Sequence, residues 1–143
     1  MKWWSVSVAL LCLLACKDPN SFQPFDPIKP DPPTPPALTY PADGWMSDDY
    51  HYPQDVNLVW QPVSGAEFYG IEVYADSLLR YPGYENRRVT QTSLTVSFGQ
   101  GWHYWRVRAA SRNWNDYTGW SSTFRFQLPF LTSASAALSR HRP

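Results

Sequence analysis

The chain has 143 residues, 12 Lys and Arg against 12 Asp and Glu, a formal net charge of zero, and two cysteines. One domain is the natural size for that length, and a chain with no basic excess lacks the charge to neutralise phosphates, which excludes nucleic acid as an expected partner. Aromatic residues make up 17%, with 8 Trp, an abundance that suits a small all-β core because such rings bury large areas on pleated surfaces.

Met1 and Lys2 give a minimal positive start. Trp3 to Ala15 is an uncharged, largely apolar run ending in a small residue, so residues 1–15 have the layout of a secretory signal peptide. The run is too short to span a bilayer as a helix, which takes about 20 residues. Its end, Leu13-Leu14-Ala15-Cys16, resembles the lipobox of bacterial lipoproteins. That resemblance implies that the Cys16 thiol takes a diacylglyceryl group, that cleavage follows Ala15, and that the freed amine is usually acylated too. An ordinary signal with a thiol near its end, or a buried strand, are the plainer alternatives. Two or more acyl chains make a stable anchor, each buried methylene contributing about 0.8 kcal/mol. The membrane is thus an expected partner through lipid on Cys16, and no other cofactor is expected. Cys12 lies inside the signal, so the mature chain is expected to have no disulfide, no cysteine metal ligand and no thiol nucleophile. Lys17, not Asp, follows the cysteine, and the lipoprotein sorting pattern then implies export to the cell envelope, at the outer membrane where there are two.

Residues 16–36 read as the lipidated cysteine and a linker. Between Pro19 and Pro36 eight of 18 residues are Pro, which removes backbone donors and fixes φ. An extended polyproline II segment rises about 3.1 Å per residue and would act as a stalk of roughly 60 Å. From residue 37 the chain alternates with period two in short bursts. Val56, Leu58 and Trp60 share one face; Tyr69, Ile71 and Val73 share another, with Gly70 and Glu72 outward. Further along, Leu94, Val96 and Phe98 point in, then His103, Trp105, Val107 and Ala109, with Tyr104, Arg106 and Arg108 outward, and finally Phe124, Phe126 and Leu128. Alternation of this kind marks strands with one face in a core, and the spacing predicts an antiparallel sandwich over residues 37–128. Residues 129–143 are small, polar and finally basic, and read as a disordered tail.

The order of motifs, an opening Leu38-Thr39-Tyr40-Pro41, a Trp60 late in the second strand, Gly65-Ala66 before a Tyr-bearing strand, the arginines of 106 and 108, and Gly119-Trp120-Ser121, is similar to bacterial fibronectin type III domains. The resemblance covers Leu38 to Leu128 and implies an immunoglobulin-like, fibronectin type III antiparallel β-sandwich of about seven strands. It also implies a corner tyrosine at the start of the sixth strand, where this sequence offers His103, or Tyr104 if the register slips. Arg106 and Arg108 on the outer face would stack on Trp120, Tyr104 or the neighbours of Arg125, each contact contributing about 0.5–2 kcal/mol.

No catalytic motif occurs, and His51, His103 and His141 are scattered, so no catalytic residue is expected. Asp48, Asp49 and His51 form the densest polar cluster, read as a solvated loop rather than a metal site. Candidate contact residues are aromatics assigned to loops: Trp45, Tyr50 and Tyr52 before the second strand and Trp102 before the sixth, with Trp114 and Tyr117 as second choices. Each could instead pack beneath its own loop. Three functions follow for such a chain: a non-catalytic binding or adhesion module with a protein or glycan ligand, an accessory subunit of an envelope complex, or a carbohydrate-binding lipoprotein.

Overall fold

The computed structural model describes residues 28–130; residues 1–15, which read as a signal, Cys16 and the start of the expected linker lie outside them, as do residues 131–143. Eight strands appear in chain order: β1 Leu38–Tyr40, β2 Trp45–Met46, β3 Gln54–Trp60, β4 Phe68–Tyr74, β5 Pro82–Val89, β6 Ser93–Phe98, β7 Gly101–Ala110 and β8 Phe124–Leu128. They form two sheets, β1-β3-β6 and β2-β8-β7-β4-β5. All strand pairs are antiparallel except β2 with β8, which is parallel. This is the fibronectin type III-like sandwich expected from the sequence, with one strand more.

The core lies between the sheets. Leu58, Trp60, Ile71, Val73, Trp105, Val107, Phe126 and Leu128 are all essentially inaccessible to solvent. These are the residues that period-two alternation places inward, because successive strand side chains point to opposite faces. Trp60 meets Tyr69 edge to face, with centroids 5.4 Å apart. Leu94 and Val96 are only half-buried, since β6 is the edge of the smaller sheet.

Two strands go beyond the alternating bursts. β2 is two residues long, too short for any periodicity. β5 reads PGYENRRV, and its pairing with β4 shifts register between Tyr69 and Ile71, placing Arg87 and Arg88 together opposite Gly70. A bulge of that kind breaks alternation, and β5 is an edge strand with only Val89 buried.

The last residues of the proline-rich segment are not free. The Asn115 backbone N–H donates to Pro30 O at 2.9 Å, the Asn115 side chain donates to Asp31 Oδ1 at 2.5 Å, and Pro36 is buried. The chain therefore approaches the sandwich beside the segment between β7 and β8. At the other end of the chain's path, Tyr52 Oη donates to Pro129 O, which ties the first tail residue to the opposite end of the sandwich.

Candidate functional site

The end of the sandwich away from that approach is formed by residues 47–53, the turn between β6 and β7, the β4–β5 hairpin and the exit from β8. Gln54, buried at the start of β3, organises the first of these. Ser47 Oγ donates to Gln54 Oε1 at 2.8 Å, and Gln54 Nε2 donates to Asp49 O. Asp49 Oδ1 accepts the His51 backbone N–H at 2.9 Å and lies 2.6 Å from His51 Nδ1. The His51 backbone N–H, and after it the His51 ring, holds the Asp49 carboxyl below the usual carboxylate value. An open cleft of about 310 Å³ lies here, lined by Trp45, Ser47, Asp49, His51, Pro53, Gln54, Asp55 and Val56. An indole beside hydroxyl, amide and carboxylate groups can hold a ligand by apolar contact and hydrogen bonds. Among the described residues no three His, Cys, Asp or Glu side chains gather as metal ligands would.

The six candidate aromatics fall in different environments. Tyr50 alone is openly exposed, at 46%. Trp45 is not in a loop but in β2; parallel pairing to Phe126 holds it half-buried between Tyr40, 5.9 Å away, and Phe126, 6.4 Å away. Tyr52 packs on the core, and burial raises its hydroxyl pKa. Trp102 is likewise a strand residue, in β7, with Arg125 stacked 5.1 Å from its ring. Trp45, Tyr50, Tyr52 and Trp102 thus share one end. Trp114 and Tyr117 sit towards the other: Trp114 is buried and belongs to the core, its ring about 3.5 Å from where a side chain on Gly65 would begin. Tyr117 lies under Arg108. The sequence reading missed Leu78 and Tyr81 of the β4–β5 hairpin, 71% and 83% exposed, which lie at the same end of the sandwich. The only signal for them was an apolar pair beside turn residues.

His103 fills the corner position. It points inward between Phe98 and Phe126, with ring centroids 4.8 and 5.0 Å away, and Nε2–H donates to Gly99 O at 2.9 Å. Burial pushes its pKa down, and the bond to Gly99 opposes that shift. Tyr104 points the other way.

The outer face of the five-stranded sheet holds a second constellation. Residues 118–121 run beside β7, where Thr118 and Ser121 replace strand pairing. The Ala109 N–H donates to Thr118 Oγ1 at 2.9 Å and the Val107 N–H to Ser121 Oγ at 3.0 Å, while the Thr118 and Ser121 N–H groups bond back to Ala109 O and Val107 O. This clamp sets Trp120 over the sheet. The Arg106 guanidinium lies 4.3 Å from the Trp120 ring and 5.4 Å from that of Tyr74; Arg108 lies 4.4 Å from Trp120 and 4.0 Å from Tyr117. Arg106 also gives Glu72 Oε2 two hydrogen bonds, at 2.9 and 2.7 Å. Of the three stacking partners expected for these arginines, Trp120 is the one that both meet.

No protein-family model matches the chain, and no curated protein does. Solved structures do match. The chain is similar to an Fn3-like protein from Clostridium thermocellum, with 25% identity and a TM-score of 0.47 over 71% of this chain and 97% of that one. It is also similar to the fibronectin type III domain of human fibronectin type III domain containing protein 3, with 17% identity and a TM-score of 0.45 over 82% and 98%. A third similarity is to beta-1,2-glucanase from Parabacteroides distasonis, with 16% identity and a TM-score of 0.49; it takes in 76% of this chain and 14% of that enzyme. By the strand order of their two sheets, three strands against five, the described residues form a single fibronectin type III-like β-sandwich module.

Proposed function

We propose that this is a non-catalytic, lipid-anchored binding module of the bacterial cell envelope. Cys16 bears the lipid, the proline-rich segment raises the sandwich from the membrane, and the end carrying Trp45, Tyr50, Tyr52 and Trp102 meets a protein or glycan ligand. The observation that carries the reading is the approach of the chain at Asn115, which leaves the Tyr50 end on the opposite side of the sandwich from the tether. The polar groups of the cleft support a binding role: Ser47 gives its hydroxyl proton to Gln54 Oε1 and the His51 ring lies against Asp49, so hydroxyl, amide and carboxylate groups line it together. Their position beside the Trp45 ring favours, as a second reading, a carbohydrate as the ligand, since aromatic rings flanked by amide and carboxylate groups suit polyhydroxylated surfaces.

Cys16→Ser in the full-length chain is expected to abolish labelling by radioactive palmitate and move the protein out of the membrane fraction. Continued labelling would remove the anchor from this reading. A photo-crosslinking residue at position 50 is expected to capture an envelope protein or glycan in intact cells, while the same residue at position 115 is not. Capture at 115 alone would place the working end beside the tether.

A further inference from the structure

Two arginines on the outer face of β7 are stacked on the same indole, yet among the described residues only one has a carboxylate partner. Arg106 stands opposite Glu72 of β4 in the ladder, and the Glu72 carboxylate takes two of its N–H groups. Arg108 stands opposite Gly70. Where Glu72 supplies a carboxylate one position along, Gly70 supplies no side chain, and the Arg108 stem fills the space: its Cγ and Nε lie 3.6 Å from where a Gly70 Cβ would be. Across Gly70, the bulge of β5 adds Arg87 and Arg88 instead of an acid. Arg87 has its own partner, Glu85, at 2.5 Å. Among the described residues none gives Arg108 a carboxylate, and its buried Nε has no hydrogen-bond partner.

Stacking decides what Arg108 can still do. Its guanidinium lies against the rings of Tyr117 and Trp120, and its Nε is buried over Gly70. The Nη edge is what the half-buried side chain has left to offer. A guanidinium whose plane is already fixed loses little freedom on bonding, and its two Nη donors match the two oxygens of a carboxylate. We propose that Arg108 is the anion-binding residue of a second site, taking a carboxylate group of a ligand edge-on, in the role that Glu72 plays for Arg106. The site is independent of the Tyr50 end and stands whether or not that end binds anything.

The test is a side-chain NMR titration of the full-length chain carrying Cys16→Ser, in detergent solution, observing the arginine Nε–H and tryptophan indole N–H signals. Acetate, chloride and phosphate are added at matched ionic strength. With acetate, the Arg108 and Trp120 signals are expected to shift and saturate, at a concentration about tenfold below that at which chloride acts. Arg108→Lys keeps the charge and loses the fork, so saturation should disappear. Gly70→Asp places a carboxylate beside Arg108 from within, and should suppress the acetate response in a chain that still melts cooperatively. The wild-type comparison needs no variant to fold. Shifts that stay linear and equal for acetate and chloride overturn the site, saturation by phosphate but not acetate overturns the carboxylate assignment, and an unchanged response in Arg108→Lys overturns the residue.

Discussion

On the inner face of β7, Trp105, Val107 and Ala109 are wholly buried, whereas on its outer face the alternate residues Arg106 and Arg108 lie against aromatic rings. The inner face is held by removal of apolar area from water, which is non-directional and needs only the right volume. The outer face is held by placement. A guanidinium must lie over a ring, and a carboxylate must reach its edge, so the contribution depends on where the 118–121 clamp sets Trp120. One strand thus carries stability of two kinds, and they should respond differently to substitution.

The largest effect belongs to the inner face. Trp105→Ala should cost about 3–5 kcal/mol in denaturant unfolding, as truncations of buried tryptophans do. Trp105→Phe should cost clearly less than that, because the buried Trp105 Nε1 has no hydrogen-bond partner to lose. A Trp105→Ala midpoint close to that of the wild type would mean that the core does not lie where the two sheets place it.

Next comes Trp120→Ala on the outer face. It removes two cation–π contacts at once, an expected loss of about 1–3 kcal/mol. A loss as large as that of Trp105→Ala would erase the distinction between the faces, and no loss would make the stacking incidental. Glu72→Gln should follow at about 1–2 kcal/mol, since Glu72 accepts from both Arg106 and Tyr74 and is only 14% exposed. A double-mutant cycle with Arg106→Lys measures how much of that is the pair itself. Coupling near zero would assign the loss to Tyr74 alone.

The same division explains what the sequence made legible. Inner-face residues repeat every second position, so Val56, Leu58, Trp60, Ile71, Val107 and Leu128 were readable as core without any knowledge of their neighbours. The outer constellation is assembled from β4, β7 and an irregular segment, and no local period links Glu72, Arg106 and Trp120. The stacking on Trp120 was readable only through the resemblance to a family. β5 escaped because its bulge interrupts alternation just where Arg87 and Arg88 meet Gly70. Trp45 and Trp102 read as loop residues in the sequence because a two-residue strand has no period, and because β7 begins at Gly101, whose φ of +119° lets the chain turn directly into the strand. The site at the Tyr50 end was legible as a set of aromatics but not as a surface, since burial beneath Tyr40 and Arg125 is a matter of tertiary packing.

The smallest expected effect is a pH dependence that sits on the inner face. His103 lies between Phe98 and Phe126, and burial lowers its pKa from the ordinary value of 6.5. Below 6.5 the unfolded chain takes up a proton there that the folded chain resists, so the unfolded state binds more protons and stability falls as pH falls. The loss begins near 6.5 and levels off once pH has dropped through the folded pKa. Asp49 and Glu67 are also held low in the fold, but their unfolded values are 3.8 and 4.5, so their losses begin at more acid pH. The onsets therefore differ. His103→Phe, which keeps a ring between Phe98 and Phe126, should flatten the stability profile just below pH 6.5 while the decline that begins at the carboxylate values remains. A variant whose profile still declines from pH 6.5 as the wild type does would move that titration away from the inner face of β7.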